Sequence, residues 1–439
     1  MKVGYVGLGA MGSALARWLI ADHELWVWDI NPAAIERFTG QGGRAAGSLA
    51  ELARHCDVVF LCLPRSQDVE MALFGNDGLF DGLTAGNLVI DQTSGIGAQT
   101  LRFAQRLAER GVMMLDAPVA GGVVGAEAGT ITIMVSGPAA AIDLAMPAFN
   151  AMTQKVFRAG EQQGTAQTVK TLNNMMNLVF RVATLETVAL AVKLGVPLPD
   201  ITQALVEGIA SNHTCRTVLR CIMEGRTTGD FALALMLKDA NQALMLGMDA
   251  QVPMPLSALA RGVLQQNIHI SGPQAKLDDV IVFMEKVTGV RYRGADRPAV
   301  QEAGERERVT EQIVCALAAS NRATVYEILT LAARMGLQLD NFGEIVRNGS
   351  SWSQECETIL AELAGEAPAP TRTIGKAVDA LQALERRNQT LGVASVMLGQ
   401  VRTFYEAAAF ELGRDGTVDR LAALYDRTAG SHLADRIAR

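Results

Sequence analysis

Lys170 and Asn174 stand one helical turn apart in a stretch, Gly164 to Leu194, that contains no proline and reads as one long helix. Asn173 and Asn177 fall beside them on the same face. Lys and Asn on a helix are ordinarily solvated. Here the neighbours are Leu172, Met175, Met176, Leu178, Val179 and Phe180, so the amine sits at the edge of an apolar helix or is held in a cleft. In a cleft, desolvation disfavours the ammonium form. The amine is then able to take a proton from an alcohol, or to give one back to a forming alkoxide.

Such chemistry needs a hydride acceptor, and the N-terminal half has the elements to hold one. Val3 to Val6 is a short apolar run that meets Gly7-Leu8-Gly9-Ala10-Met11-Gly12, and Ser13 to Ile20 has helical periodicity. Strand, glycine turn and helix in that order suit a dinucleotide. Gly7 makes the turn, Gly9 lets backbone approach a pyrophosphate, and Gly12 lets helix pack close on strand. The next strand, Glu24 to Trp28, ends in Asp29, where a carboxylate can accept from an adenosine ribose. Ile30 follows instead of an arginine, which favours NAD over NADP. The plainer reading of Asp29 is a turn start, Asp29-Ile30-Asn31-Pro32.

Further apolar strands run from Asp57 to Leu63 and from Asn87 to Asp91, with helices at about 66–73 and 97–109. The alternation implies a parallel sheet with right-handed crossovers and ligands at the strands' carboxyl ends. Leu63, Pro64 and Gln92-Thr93-Ser94 are therefore expected to border the cofactor. After the next strand comes Asp116-Ala117-Pro118-Val119-Ala120-Gly121-Gly122. Two glycines there leave backbone N–H groups able to cradle a small anion such as a carboxylate, although such a turn is more often only a turn.

The chain has 439 residues, 49% hydrophobic and 19% charged, which suits two or three globular domains. A net charge of -7 and the lack of a basic stripe argue against nucleic acid. Cys56, Cys62, Cys215, Cys221, Cys315 and Cys356 lack the spacing of a zinc site or a disulfide framework and read as reduced core thiols, with no metal expected. The start at Met1-Lys2-Val3 goes directly into a strand, and no membrane-length apolar run is expected later. These features suggest a soluble, cytoplasmic protein with no membrane partner.

The glycine fingerprint, the Asp116 to Gly122 turn, and Gly164, Gln167, Lys170, Asn173 and Asn174, in that order and at those separations, resemble the β-hydroxyacid dehydrogenases, the group of 3-hydroxyisobutyrate dehydrogenase. The resemblance spans residues 1 to about 290. It implies a dinucleotide-binding domain followed by an all-helical domain joined through the long helix. It further implies that Lys170 is the catalytic lysine, that Asn174 holds the substrate, that Ala120, Gly121 and Gly122 grip its carboxylate, and that Lys238 lies near the nicotinamide. The family commonly has Ser at the position of Ala120, so a hydroxyl is missing from the carboxylate site and the usual substrate is in doubt. It commonly has Gly at the position of Ala166. Resemblance to 6-phosphogluconate dehydrogenase would require His and Glu where this chain has Asn173 and Asn177, which disfavours oxidative decarboxylation. Imine reductases of the superfamily lack the lysine kept here.

About 140 residues remain after the family's usual end, and they repeat what came before. Residues 311–361 slide onto 170–220 without a gap at a shift of 141 positions (336 − 195), pairing Arg181 with Arg322, Glu186 with Glu327, Gly195 with Gly336, Gly208 with Gly349, Cys215 with Cys356 and Leu219 with Leu360. Lys376 falls near the counterpart of Lys238. Lys170 pairs with Glu311, and Asn173 and Asn174 pair with Val314 and Cys315, so the second copy has lost the catalytic face. It is expected to serve packing, as an internal substitute for the helical interlock by which short family members dimerise. Arg291 to Pro298 reads as the linker. His213 reads as a cap or surface residue and Trp352 as core.

The expected fold is an α/β dinucleotide-binding (Rossmann-like) domain, residues 1–162, then two all-α domains related by internal duplication, residues 163–290 and 300–439. The expected activity is NAD-dependent interconversion of a small β-hydroxy acid with its aldehyde or keto acid. The alternatives are an NAD-binding protein of the same fold without catalysis, and a semialdehyde reductase using NADPH. A homo-oligomer stays open.

Overall fold

The computed structural model describes residues 1–229, 231–292, 303–366 and 371–437. Two compact units divide it, Met1–Lys170 and Thr171–Arg439. Of the expected linker, residues 293–298 lie outside the described residues. Tyr292 is not linker-like. It is buried, its hydroxyl donates to Leu185 O at 2.8 Å and its N–H to Glu285 Oε1 at 2.8 Å.

The first unit is built on β1 (Lys2–Val6), β2 (Glu24–Trp28), β3 (Arg44–Ala45), β4 (Val58–Leu61), β5 (Leu88–Asp91), β6 (Met113–Asp116), β7 (Val119–Ala120), β8 (Thr132–Ser136) and β9 (Lys155–Gly160). They form one sheet of order β3-β2-β1-β4-β5-β6-β8-β7, with β9 on β8. The first six are parallel, β8 runs antiparallel to β6 and β7, and β9 parallels β8. Helices α1 (Ala10–Ala16), α2 (Pro32–Thr39), α3 (Leu49–His55), α4 (Ser66–Phe74), α5 (Leu79–Gly82), α6 (Gly97–Ala108), α7 (Gly122–Glu127) and α8 (Ala139–Met152) lie between the strands. Alternate residues feed two cores: Val3, Tyr5, Phe60 and Ile90 enter one, Val6, Val59, Leu61 and Val89 the other. Burial on both faces is why these strands are continuous apolar runs rather than alternating ones.

Helix α9 (Thr165–Lys193) is apolar and long enough to cross a membrane, which corrects the expectation that no such run exists. Its apolar window is wholly buried inside the protein, as a core helix would be.

The second unit holds α10 (Leu198–Glu207), α11 (Leu219–Glu224), α12 (Leu233–Asp249), α13 (Pro255–Ser271) and α14 (Asp279–Thr288). It continues with α15 (Ala303–Arg334), α16 (Leu339–Arg347), α17 (Gln354–Leu363), α18 (Ile374–Leu391), α19 (Met397–Leu412), α20 (Ala422–Ala429) and α21 (Leu433–Ile437). The shift of 141 recurs from α9 and α15, which end at Lys193 and Arg334, to α13 and α19, which end at Ser271 and Leu412. The bridge Ala232 to Lys276 recurs at the same shift as Thr373 to Thr417. Asn212 bridges Ser353, its own counterpart, as a local twofold axis requires. His213 N–H donates to Trp352 O at 3.0 Å, and Gln354 N–H to Ser211 O at 2.8 Å.

Two buried carboxylates lock the copies across that axis. Glu186 accepts the N–H groups of Val396, Met397 and Leu398 at 2.7, 3.1 and 2.9 Å, at the start of α19. Glu327, its counterpart, accepts those of Leu256 and Ser257 at 3.1 and 2.9 Å, at the start of α13. Each charge satisfies amides that a helix leaves unpaired at its N-terminus and faces the positive end of its dipole. The register departs from 141 locally and returns to it by Ala232 and Thr373. Thr214–Val218 forms a π-helical turn, absorbing one residue more than α17 does, so the helix-ending Gly225 and Gly365 are 140 apart.

Candidate functional site

The glycine turn is built by collision as much as by flexibility. Gly7 has φ +95°, and a Cβ there would lie 2.3 Å from Cys62 O; one on Gly12 would lie 1.9 Å from Gly7 O. A Cβ on Gly9 would meet nothing within 4 Å. Gly7 and Gly12 therefore serve packing, and the Gly9 side, next to Leu8, Ala10 and Met11, is open to a ligand. Asp29, at the end of β2, accepts Leu8 N–H at 2.6 Å through Oδ2 and Asn31 N–H at 2.7 Å through Oδ1. The carboxylate thus ties the second strand to the turn, and Ile30 beside it is 88% exposed. A turn open at Gly9 with a carboxylate at the next strand end fits a dinucleotide and its ribose.

At the neighbouring strand ends, Leu63 N–H donates to Thr93 Oγ1 at 3.0 Å, and Thr93 N–H to Asp91 Oδ1 at 2.9 Å. Thr93 is buried and fixes the Leu63-Pro64 turn. Ala120 closes β7, and Gly121 and Gly122 follow with φ of 128° and 69°, a path that side-chain-bearing residues rarely take.

The start of α9 is pinned by a residue that sequence reasoning quoted but gave no role. Asp116, fully buried, accepts Gly164 N–H at 2.8 Å and Ser136 Oγ–H at 2.6 Å on Oδ1, and Gln167 N–H at 2.9 Å on Oδ2. Burial pushes its carboxyl up to about 6 against these hydrogen bonds. Gly164 approaches Gly97 so closely that a Cβ would lie 2.3 Å from Gly97 O. Gln167 brackets the loop after β5, accepting Gly95 N–H at 2.9 Å and donating to Thr93 O at 2.6 Å. Ala166 N–H donates to Ser136 Oγ at 2.8 Å. Lys170 follows one turn later and is 9% exposed.

In the second unit Asn174 is buried and donates from Nδ2 to Asp239 Oδ2 at 2.6 Å. Lys238 Nζ lies 3.4 Å from Asp239 Oδ1. Asp239 was visible in sequence only as the neighbour of Lys238; its partnership with Asn174 joins residues 65 apart. Asn177 Nδ2 donates to Ser350 O at 2.5 Å and Ser351 Oγ–H to Asn173 Oδ1. In the observed register the counterpart of Lys238 is Asp379, with Lys376 near it as expected.

His213 is half-buried and occupies the N-cap position of the Thr214–Val218 turn without a side-chain cap hydrogen bond. Burial, with Arg181 adding, pushes its imidazole down to about 4. Trp352 is half-buried rather than core: the Arg216 guanidinium lies 3.6 Å from its ring centre and its Nε1–H donates to Glu357 Oε1 at 3.1 Å. All six cysteines are free thiols, and among the described residues no group of side chains is arranged to hold a metal.

The NAD-binding domain family of 6-phosphogluconate dehydrogenase matches residues 2–160, and the family described as NAD-binding of NADP-dependent 3-hydroxyisobutyrate dehydrogenase matches residues 164–283. Among curated relatives, 3-hydroxyisobutyrate dehydrogenase of Pseudomonas aeruginosa is 32% identical over 303 residues, 67% of this chain and 99% of its own. The 2-(hydroxymethyl)glutarate dehydrogenase of Eubacterium barkeri is 29% identical over 296 residues, 67% of this chain and 98% of its own. The structure of Plasmodium falciparum 6-phosphogluconate dehydrogenase matches with a TM-score of 0.70 over 93% of this chain and 92% of its own; at 13% identity this shows the fold alone. With the glycine turn, its acidic strand end and the Lys-Asn helix in the family's order, the chain belongs to the β-hydroxyacid dehydrogenases, NAD(P)-dependent oxidoreductases that act on CH–OH groups.

Proposed function

We propose that this chain interconverts a small β-hydroxy acid and its aldehyde or keto acid, with Lys170 as the general acid/base. The observation that carries the reading is the pairing of Lys170, 9% exposed, with Asn174 on successive turns of one buried helix whose first amides are fixed by Asp116. A desolvated amine presented by a rigid element suits proton transfer to or from a single oxygen.

When bound, the nicotinamide cofactor accepts the hydride from the carbinol carbon. Lys170 takes the hydroxyl proton as the carbonyl forms, and returns it in the reverse direction. Asn174, its Nδ2 committed to Asp239, is left with Oδ1 to accept from a substrate hydroxyl. Ala120, Gly121 and Gly122 bind the carboxylate through backbone, since Ala120 offers no hydroxyl. Gly7 to Gly12, Asp29, Leu63, Pro64 and Thr93 hold the cofactor, and Lys238 keeps the cofactor role that the resemblance implies. NAD is preferred because Asp29 would repel a ribose phosphate and Ile30 offers it no cation. The protein is assigned to the cytoplasm, and residues 163–290 and 300–439 to two fused helical domains.

A panel of small hydroxy acids, read by reduction of NAD and of NADP in parallel, tests the reading. Turnover of a β-hydroxy acid with NAD is expected. No reduction with any member, despite measurable NAD binding, would favour a binding protein over an enzyme.

A further inference from the structure

The second helical copy lacks the lysine and the paired asparagines, yet it supplies polar partners to the helix that has them. Its turn after α16, Gly349-Ser350-Ser351, lies against Asn173 and Asn177 of α9. Ser351 Oγ–H donates to Asn173 Oδ1, and Asn177 Nδ2 donates to Ser350 O at 2.5 Å. A Cβ on Gly349 would lie 3.0 Å from Asn173 Oδ1, so the turn is pressed onto that amide. Ser351 and Asn173 are both wholly buried and Asn177 is 6% exposed.

The twofold relation supplies an internal comparison. The counterpart turn in the first copy is Gly208-Ile209-Ala210, and the counterpart of Asn173 is Val314. A Cβ on Gly208 would lie 3.4 Å from Val314 Cγ1, so the same backbone approach is made in reverse. There Asn321 Nδ2 of α15 donates to Ala210 O at 2.9 Å, as Asn177 does to Ser350 O, but Ala210 stands for Ser351 and Val314 for Asn173, so the hydroxyl and the amide it meets are both missing. Packing and the amide-to-carbonyl bond are satisfied there without a hydroxyl. The hydroxyl of Ser351 is matched to the amide of Asn173, which occurs only on the α9 side.

We propose that Ser351 is a positioning residue for the reaction, acting through Asn173 on the face of α9 that carries Asn174 and, one turn earlier, Lys170. Asn173 and Asn177 flank those two residues within one arc of the helix. Holding both amides fixes the rotation of α9 about its axis and the rotamers beside the reacting groups, where small displacements are costly in rate. The second of the two family matches ends at residue 283, so this support comes from residues beyond it. The inference rests on the function proposed above.

The test is Ser351→Ala in the full chain, measured with the best hydroxy acid of the panel. A fall in kcat of about tenfold is expected, with KM and NAD affinity within about twofold and the melting temperature near that of the parent. Asn173→Ala is expected to lower kcat comparably, and the double variant no further than the worse single one. Val314→Ala, the equivalent helix position in the second copy, is expected to lower the melting temperature and leave kcat alone. If Ser351→Ala does not fold, Ser351→Cys keeps the volume, weakens the donor and is expected to show the same kcat loss. An unchanged kcat in Ser351→Ala, or strictly additive losses with Asn173→Ala, overturns the inference. Those results with Lys170→Ala inactive leave the proposed function standing; an active Lys170→Ala removes the acid/base role of Lys170, and no turnover by the parent removes the function itself.

Discussion

Asn174 Nδ2 donates to Asp239 Oδ2 at 2.6 Å, and both side chains are buried. The bond decides which end of the amide is left over: the carboxylate takes the NH2 group, and Oδ1 remains as an acceptor. Asp239→Ala leaves the amide free to turn and removes the carboxylate 3.4 Å from Lys238 Nζ. The expected result is a rise of about tenfold in KM for the hydroxy acid with little change in NAD affinity. Steady-state kinetics with the cofactor saturating would check it; an unchanged KM would remove Asn174 from the substrate.

Asp116 gathers two backbone amides and a hydroxyl at the head of α9. Asp116→Asn keeps one acceptor and turns an NH2 group toward at least one N–H donor. A loss on the order of 2–4 kcal/mol in chemical denaturation is expected, because a buried donor is left unpaired. A loss below about 0.5 kcal/mol would mean that the helix start is held by something other than this carboxylate.

Burial pushes Glu327 up to about 7 from an ordinary 4.5, against the pull of its two amide donors. Between those values the folded chain keeps a proton that the unfolded chain has already lost. Stability from this group therefore falls as pH rises from about 4.5 to about 7 and is flat above. Glu327→Gln still accepts from the start of α13 and does not titrate. Its melting temperature is expected to depend less steeply on pH across that window, and at pH 8 to equal or exceed the parent's. A parallel shift of the two curves would show that Glu327 does not titrate there.

Asp29 is held by Leu8 and Asn31 N–H groups at the end of β2, and Ile30 next to it is exposed. Removing the carboxylate and placing a cation beside it, in the double variant D29S/I30R, is expected to raise the ratio of NADP to NAD efficiency by about tenfold or more. Parallel kcat/KM measurements with the two cofactors decide this. A parent that already prefers NADP would overturn the assignment.

Much of the fold was legible because its signals are local. Val3 to Val6 with Gly7, Gly9 and Gly12 announce strand, turn and helix within twenty residues, and the spacing of Lys170 and Asn174 needs only a helix to acquire meaning. The duplication was legible because a shift of 141 needs no gap from Arg181 to Cys215; the π turn that offsets it by one residue begins at Thr214. The partners of the site were not legible. Asp116 to Gly164, Asn174 to Asp239 and Asn173 to Ser351 join residues 48, 65 and 178 apart, and nothing in the spacing of an Asp or a Ser tells which amide it meets. Trp352 misled because a large aromatic suggests core, while an arginine can cover its face in half-exposed positions. Assigning the second copy to packing alone followed from its missing lysine; the serine hydroxyl that meets Asn173 only becomes visible in three dimensions.

The most direct measurement is single-turnover kinetics of Lys170→Ala with saturating cofactor and hydroxy acid, beside titration of cofactor binding. If Lys170 is the acid/base, hydride transfer slows by about a hundredfold or more while cofactor affinity stays within about twofold. Transfer at near the parent rate in Lys170→Ala would contradict the assignment.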